Sequence, residues 1–293
     1  MNALGLLTSI IIGFGASFIF ATILYWLDLY EREPFLLLAA TFLWGAVISA
    51  GGAFILNTIF GTGIFILTGS EAASSLTISV FAAPIVEEIL KGFAVFLVFV
   101  FFRTEFDSVL DGIIYAGVVA LGFAATENAF YIYTYGFLEG GWAGLGSMSM
   151  IRIGLVGWQH PFYTAFFGIG LAVVRLTRNW FIRLAAPAAG LAAAILAHAI
   201  HNLFASLFGS PVGFAFTTFV DWVGWFLMVL FILIILMIEG QQIKKYLKPE
   251  VIRGTLTEEH YQRSSSAVKL LFHRILALFE GNYRQQTQLY RTA

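Results

Sequence analysis

No cysteine occurs anywhere in the 293 residues, which excludes disulfides, thiolate nucleophiles and cysteine-ligated metals. Charge is scarce as well: Asp, Glu, Lys and Arg make up 11% of the chain, with a formal net charge of −1, and no nucleic-acid partner is expected. There is no HExxH, no evident Ser–Lys or Asp–Asp pair, and no internal repeat. What abounds is apolar. The residues AVILMFWYC account for 59%, against about 45 to 50% with glycine included in soluble domains. They fall in runs far too long and continuous for barrel strands. Backbone polar groups in lipid must be satisfied within helices or closed barrels, so the chain reads as an all-α polytopic membrane protein.

About seven spans can be marked, near 3–27, 35–60, 75–102, 109–135, 148–174, 184–208 and 214–238, each close to or above the length needed to cross a bilayer. An eighth, re-entrant segment is expected near 63–68, where Gly61-Thr62-Gly63 opens a loop that dips back into the membrane. Glu139-Gly140-Gly141-Trp142 and Gly209-Ser210-Pro211 mark two further turns. The N-terminal apolar stretch has no basic region ahead of it and reads as a retained first span. Of the 16 Lys and Arg residues, all but Lys91 and Arg152 fall in alternate connections or in the C-terminal tail. Short cytoplasmic loops collect such charges, which puts the N-terminus outside and the C-terminus in the cytoplasm. The expected division is a transmembrane catalytic domain, 1–240, and a cytoplasmic tail, 241–293. In the tail, Val268, Leu271, Phe272, Ile275, Leu276 and Phe279 recur at helical spacing, the pattern of an amphipathic helix lying on a lipid surface.

Charge inside the spans is the exception. Glu87, Glu88 and Lys91 stand in the third apolar run, and their spacing puts all three on one helical face. Ionised groups at that depth are costly and usually functional. Lys91 neutralises one carboxylate and leaves the other to act; the plainer reading is a buried pair that fixes register. Glu127-Asn128 in the fourth span, Arg152, Gln159 and His160 in the fifth, and His198, His201 and Asn202 in the sixth add further polar groups. Counted from the outer ends, Glu87, Glu127, His160 and His198 all come out roughly 15 to 18 Å deep. Each has a blander alternative: a lone buried histidine is usually a hydrogen-bonded core residue, Asp111 suits a helix start, and Arg152 can sit at the interface with its head in water. Their common depth favours a shared site.

Two acids and two imidazoles can hold a metal with one position open, leaving a glutamate to take a proton from bound water. They can also work without metal, a desolvated glutamate activating water while His and Asn202 hold the oxyanion. Hydrolysis is the natural outcome of both.

These residues resemble the PrsW intramembrane proteases, relatives of the CAAX-processing and bacteriocin-processing membrane endopeptidases. The resemblance rests on Asp28 to Pro34, the EExxK of Glu87 to Lys91, Leu110-Asp111-Gly112-Ile113 and Gly122-Phe123 with Glu127-Asn128. His160-Pro161-Phe162-Tyr163-Thr164 and the HxxxN of His198 to Asn202 complete it. It implies cleavage of a single-span membrane protein, an anti-sigma factor or similar signalling protein. The implied catalytic set is Glu87, Glu88, Glu127, His160 and His198 with Asn202 as a polarising group. Zn²⁺ on Glu127, His160 and His198, or a metal-free glutamate mechanism, would follow. The rival reading is a proton-coupled transporter or ion-conducting protein using the same buried groups.

Overall fold

The computed structural model describes residues 2–207 and 211–281, all of whose regular elements are helical. Twelve helices follow in order: α1 Ala3–Leu27, α2 Phe35–Leu43, α3 Ala50–Thr68, α4 Glu71–Thr77, α5 Ala83–Phe101, α6 Val109–Tyr131, α7 Leu138–Ser149, α8 Gln159–Leu176, α9 Trp180–Leu207, α10 Pro211–Ile252, α11 Glu258–Ser264 and α12 Ala267–Phe279. Five stretches among the described residues are long and apolar enough to cross a membrane: Ala3–Leu27, Phe35–Thr68, Val109–Leu176, Trp180–Ser206 and Val212–Ile252. Apolar helices in this number make the chain a membrane protein.

Four π-type segments interrupt the helices, at Trp44–Ser49, Ile78–Ala82, Ile132–Phe137 and Met150–Leu155. Two of them flank the acidic motif's surroundings. Ile78–Ala82 runs directly into α5, and Trp44–Ser49 packs on α6, where Thr126 Oγ1 donates to the Ala46 carbonyl at 2.7 Å.

The chain forms two compact units, Met1–Tyr25 with Glu33–Phe226, and Trp26–Arg32 with Leu227–Ala293. In the first, α6 is buried on every side from Leu110 to Ala125. Tyr115, Ala116, Val119, Ala120, Leu121 and Ala125 are fully inaccessible, the signature of a helix surrounded by others. Small residues let its neighbours approach: a Cβ at Gly168 of α8 would stand 2.0 Å from the Gly112 carbonyl oxygen of α6, the close crossing typical of membrane helices. On α1, Gly5, Ser9, Gly13 and Ser17 form a buried stripe at every fourth position. The start of α6 is fixed by a reciprocal capping box, with Ser108 Oγ accepting from the Asp111 N–H at 3.2 Å and Asp111 Oδ2 accepting from the Ser108 N–H at 2.7 Å. Asp111 is thus the helix cap that its position implies.

In the second unit, Tyr261 Oη donates to the Lys244 carbonyl at 3.1 Å. Tyr30 packs so closely on Gly240 that a Cβ there would lie 2.5 Å from its hydroxyl. Burial, and then the nearby Glu239 carboxylate, push the Tyr30 phenol above its ordinary pKa.

The re-entrant segment near 63–68 does not occur. Residues 61–63 lie inside α3, which continues to Thr68 and stops at Gly69, a left-handed cap with φ 64°. Gly61 marks a close approach, since Ser74 Oγ of α4 donates to its carbonyl at 2.7 Å and Ile78 leaves no room for a side chain there. The expected turn at 139–142 falls at Gly141, whose φ of 58° and ψ of −144° break α7. The expected unbroken run 148–174 is interrupted at Val156–Trp158, so α8 begins only at Gln159. Gly209 and Ser210 lie outside the described residues. The expected boundary at 240 falls within α10, which is helical from Pro211 to Ile252.

Candidate active site

Three helices bring the acidic motif its partners. Glu87, Glu88 and Lys91 project from the first turns of α5 and are buried. Lys91 Nζ, with no accessible surface, donates to Glu88 Oε1 at 2.5 Å and lies 4.0 Å from Glu87 Oε2. Glu88 is saturated. Besides Lys91, it accepts from His198 Nδ1 at 2.9 Å and from Thr164 Oγ1 at 2.8 Å. Three partners, Lys91 of α5, Thr164 of α8 and His198 of α9, thereby satisfy the fully buried Glu88 carboxylate, the condition under which a buried charge pair survives in a dry interior.

Glu87 is held differently. Its Oε2 is buried yet has no hydrogen-bond partner, and it faces His198 Nε2 at 3.9 Å. A buried carboxylate oxygen left open needs an explanation, and a reacting group or an ion supplies one.

His160 stands in the first turn of α8, directly after the break at Val156–Trp158. Its Nε2–H donates to Glu127 Oε2 at 2.8 Å, while Lys91 Nζ approaches its Nδ1 at 3.3 Å. Glu127 Oε2 also accepts a hydrogen bond from Arg152 Nη2, and Arg152 Nε donates to Asn128 Oδ1 at 2.9 Å. Arg152 therefore does not hold its head in interfacial water. It is a largely buried counter-charge lying 4.5 Å over the Tyr131 ring.

The two imidazoles meet edge to face at 5.2 Å, and the Tyr163 ring stacks on His198 at 5.0 Å. Phe123 packs its edge against His160 at 5.1 Å and its face under Lys91 Nζ at 4.5 Å. Ligand atoms of Glu87, His160 and His198 all lie within 4.8 Å of one another. The acid in this group is Glu87, where the sequence pointed to Glu127, which is engaged by Arg152 and His160 instead.

The donor set suits a metal. Each imidazole gives one nitrogen to a carboxylate, His198 Nδ1 to Glu88 and His160 Nε2 to Glu127. A second carboxylate behind each ring is the usual arrangement around metal-binding histidines. Two nitrogens and an oxygen also match the three-residue ligand sets of catalytic zinc.

Asn202 does not join this group. Its Nδ2 donates to the backbone carbonyl of Ser79 at 2.8 Å. His201, one turn from His198, belongs to a second cluster: Asp221 Oδ2 lies 2.9 Å from His201 Nδ1 and accepts from Gln159 Nε2 at 2.7 Å, and Asp221 Oδ1 accepts from Tyr163 Oη at 3.3 Å. Asp221 escaped the sequence reading, and Thr164 entered it only as the end of a motif, without a role. Asp221 could have been found as the lone acid of the apolar run 211–238, and Thr164 as the residue one turn after His160.

The model of the family described as PrsW family intramembrane metalloprotease matches residues 33–238, an interval that holds every residue of the site. The chain belongs to this PrsW family. Among the curated relatives, "Protease PrsW" of Geobacillus kaustophilus is 36% identical over 112 residues, which cover 38% of this chain and 46% of the relative. "Protease PrsW" of Bacillus subtilis is 30% identical over 112 residues, covering 38% and 48%, and that of Clostridioides difficile 35% over 116 residues, covering 38% and 46%. The matching stretch thus spans about half the length of these PrsW relatives. No solved structure matches the chain.

Proposed function

We propose that the chain is an intramembrane endopeptidase that hydrolyses a peptide bond of a single-span membrane protein, an anti-sigma factor or a similar signalling protein. The observation that carries this reading is the buried group of Glu87, His160 and His198 with Glu87 Oε2 left open, in a chain of the PrsW family. Glu87, the open acid, takes the proton of the attacking water. Glu88 has no free acceptor geometry of that kind: it anchors Lys91 and sets His198 so that Nε2 faces the reaction group. The proton that Glu87 takes from water passes to the leaving amine, while His160, between Lys91 at Nδ1 and Glu127 at Nε2, is held in a fixed orientation beside it. Proton transfers of this kind contribute about 10²- to 10⁴-fold.

Glu87, His160 and His198 would hold Zn²⁺, which when bound acts as a Lewis acid and lowers the pKa of a bound water. With Glu87 engaged as a ligand, Glu127 is the acid that remains within reach of His160. Metal analysis of freshly purified protein beside a chelator titration of cleavage separates the two versions. Activity that survives chelation with no stoichiometric metal leaves Glu87 as the base. Failure of the purified protein to cleave any single-span peptide, together with proton-driven uptake in liposomes, would overturn the protease reading.

The basic residues favour about seven spans with the N-terminus outside and the C-terminus in the cytoplasm, and the bacterial PrsW relatives favour a prokaryotic cytoplasmic membrane. In that arrangement residues 1–240 hold the catalytic machinery, and the tail, 241–293, lies on the inner surface through α12.

A further inference from the structure

The sequence motif HxxxN invites a catalytic role for Asn202, but its amide is committed elsewhere. The reason lies in the turn that precedes the acidic motif. In an α-helix the Ser79 carbonyl would accept from the N–H of Ala83, four residues on. Here the Ala83 N–H passes over it and donates to Ile78 O, the π-type spacing. In a π-turn the next donor would be the N–H of residue 84, but that residue is Pro84 and has none. The Ser79 carbonyl therefore loses both helical donors in a part of the molecule where an unpaired backbone oxygen is expensive. Asn202 Nδ2 donates to it at 2.8 Å. A second bond lies beside the first, with Ser79 Oγ 3.3 Å from Ser206 Oγ one turn further along α9.

We infer that Asn202 is a positioning residue: it stabilises the π-turn and proline break at Ile78–Pro84, and through that break it sets the register at which Glu87 and Glu88 face His160 and His198. The glutamates follow the break within one turn, so rotation or fraying at Ser79 is passed directly to them. α9 then holds α5 at Glu88 through His198 and the π-turn that leads into α5 at Ser79 through Asn202. The proposal rests on the protease reading for its effect on cleavage, but its structural half stands apart from it.

The test is a double-mutant cycle of Asn202→Ala and Pro84→Ala in the full-length protein in nanodiscs. Two readouts are taken: cleavage of a single-span substrate peptide across pH, and amide hydrogen exchange of the segment 78–90. Pro84→Ala gives Ser79 a helical donor again, either through a new N–H at position 84 or by letting the Ala83 N–H return to it. Asn202→Ala alone is expected to raise exchange in 78–90, to slow kcat by about 10- to 100-fold, the scale of a misplaced reacting group, and to shift the pH profile with little change in KM. In the double variant most of that loss and of the added exchange is recovered. Losses that simply multiply in the double variant, with exchange in 78–90 unmoved by Asn202→Ala, would overturn the inference and assign Asn202 to the substrate. Should the wild-type protein cleave nothing, the protease reading falls, while the exchange measurements still decide the role of Asn202.

Discussion

Replacing Glu88 by glutamine and replacing Glu87 by glutamine differ by one position and no atoms in size, yet the structure assigns them opposite consequences. Glu88 accepts from Lys91, His198 and Thr164, and its carboxylate is the close counter-charge of a lysine with no accessible surface. Removing one member of a buried ion pair costs about 3 to 5 kcal/mol, because the other charge is left uncompensated. Glu87 remains 4.0 Å from Lys91 Nζ and can take part of the load, which places Glu88→Gln near the lower end, about 3 kcal/mol, or roughly a 100-fold shift in the folded-to-unfolded ratio. Glu87→Gln removes a carboxylate whose Oε2 has no hydrogen-bond partner and which stands 4.0 Å from Lys91 Nζ, while Glu88 keeps its close contact with the lysine, so the expected cost is smaller, about 1 kcal/mol, the centre of the range for single substitutions. Cleavage in that variant should fall by about 10²-fold or more, the usual share of a catalytic base. Unfolding in detergent measures the first quantity and peptide cleavage at fixed pH the second. Equal stability of the two variants would refute the division of labour between the adjacent glutamates.

Gly168→Ala forces a Cβ to within 2.0 Å of the Gly112 carbonyl oxygen and, with backbone on both sides, should destabilise by about 3 kcal/mol, the upper end for overpacking. Gly51→Ala, with nothing within 4 Å of the added carbon, should gain about 0.5 to 1 kcal/mol by helix propensity; matched melting temperatures would contradict the packing of α6 on α8. Asp221→Asn removes the carboxylate that accepts from Gln159 and Tyr163 and lies against His201, and since Tyr163 stacks on His198, kcat should drop by about tenfold, a modest fraction of what misplacing a reacting group can cost. An unchanged kcat would separate that cluster from the site. The Asp107 carboxyl, in the connection between α5 and α6, is pushed above the ordinary carboxylate range by burial first, then by Asp111 and Glu105. A raised folded-state pKa favours the protonated form, so its stabilising contribution is present below the unfolded pKa and is lost as pH rises through the folded one. Asp107→Asn should therefore raise the melting temperature at pH 7 and change little at pH 3; the reverse order would show that the carboxylate is favourably placed.

Composition and hydrophobic run length were enough for the membrane and the all-helical class, because lipid leaves a chain of this kind no other way to pair its backbone. The capping role of Asp111 was legible too, since a cap is read from neighbours in sequence, and the turn at Gly141 followed from a glycine pair. The end of α3 was not: Gly61 and Gly63 look like a loop, and only the arrival of Ser74 and Ile78 against Gly61 shows that a small residue is needed there for packing. Likewise, spacing placed Glu87, Glu88 and Lys91 on one face of a helix and depth gathered Glu87 and Glu127 with His160 and His198. It could not say which glutamate is saturated and which is open, because that depends on Thr164 and His198 arriving from α8 and α9. Local chemistry is written residue by residue along the chain, whereas the partner of a buried polar group is chosen by how helices far apart in sequence cross. For that reason Asn202, Arg152 and Asp221 took their places only when the tertiary structure did.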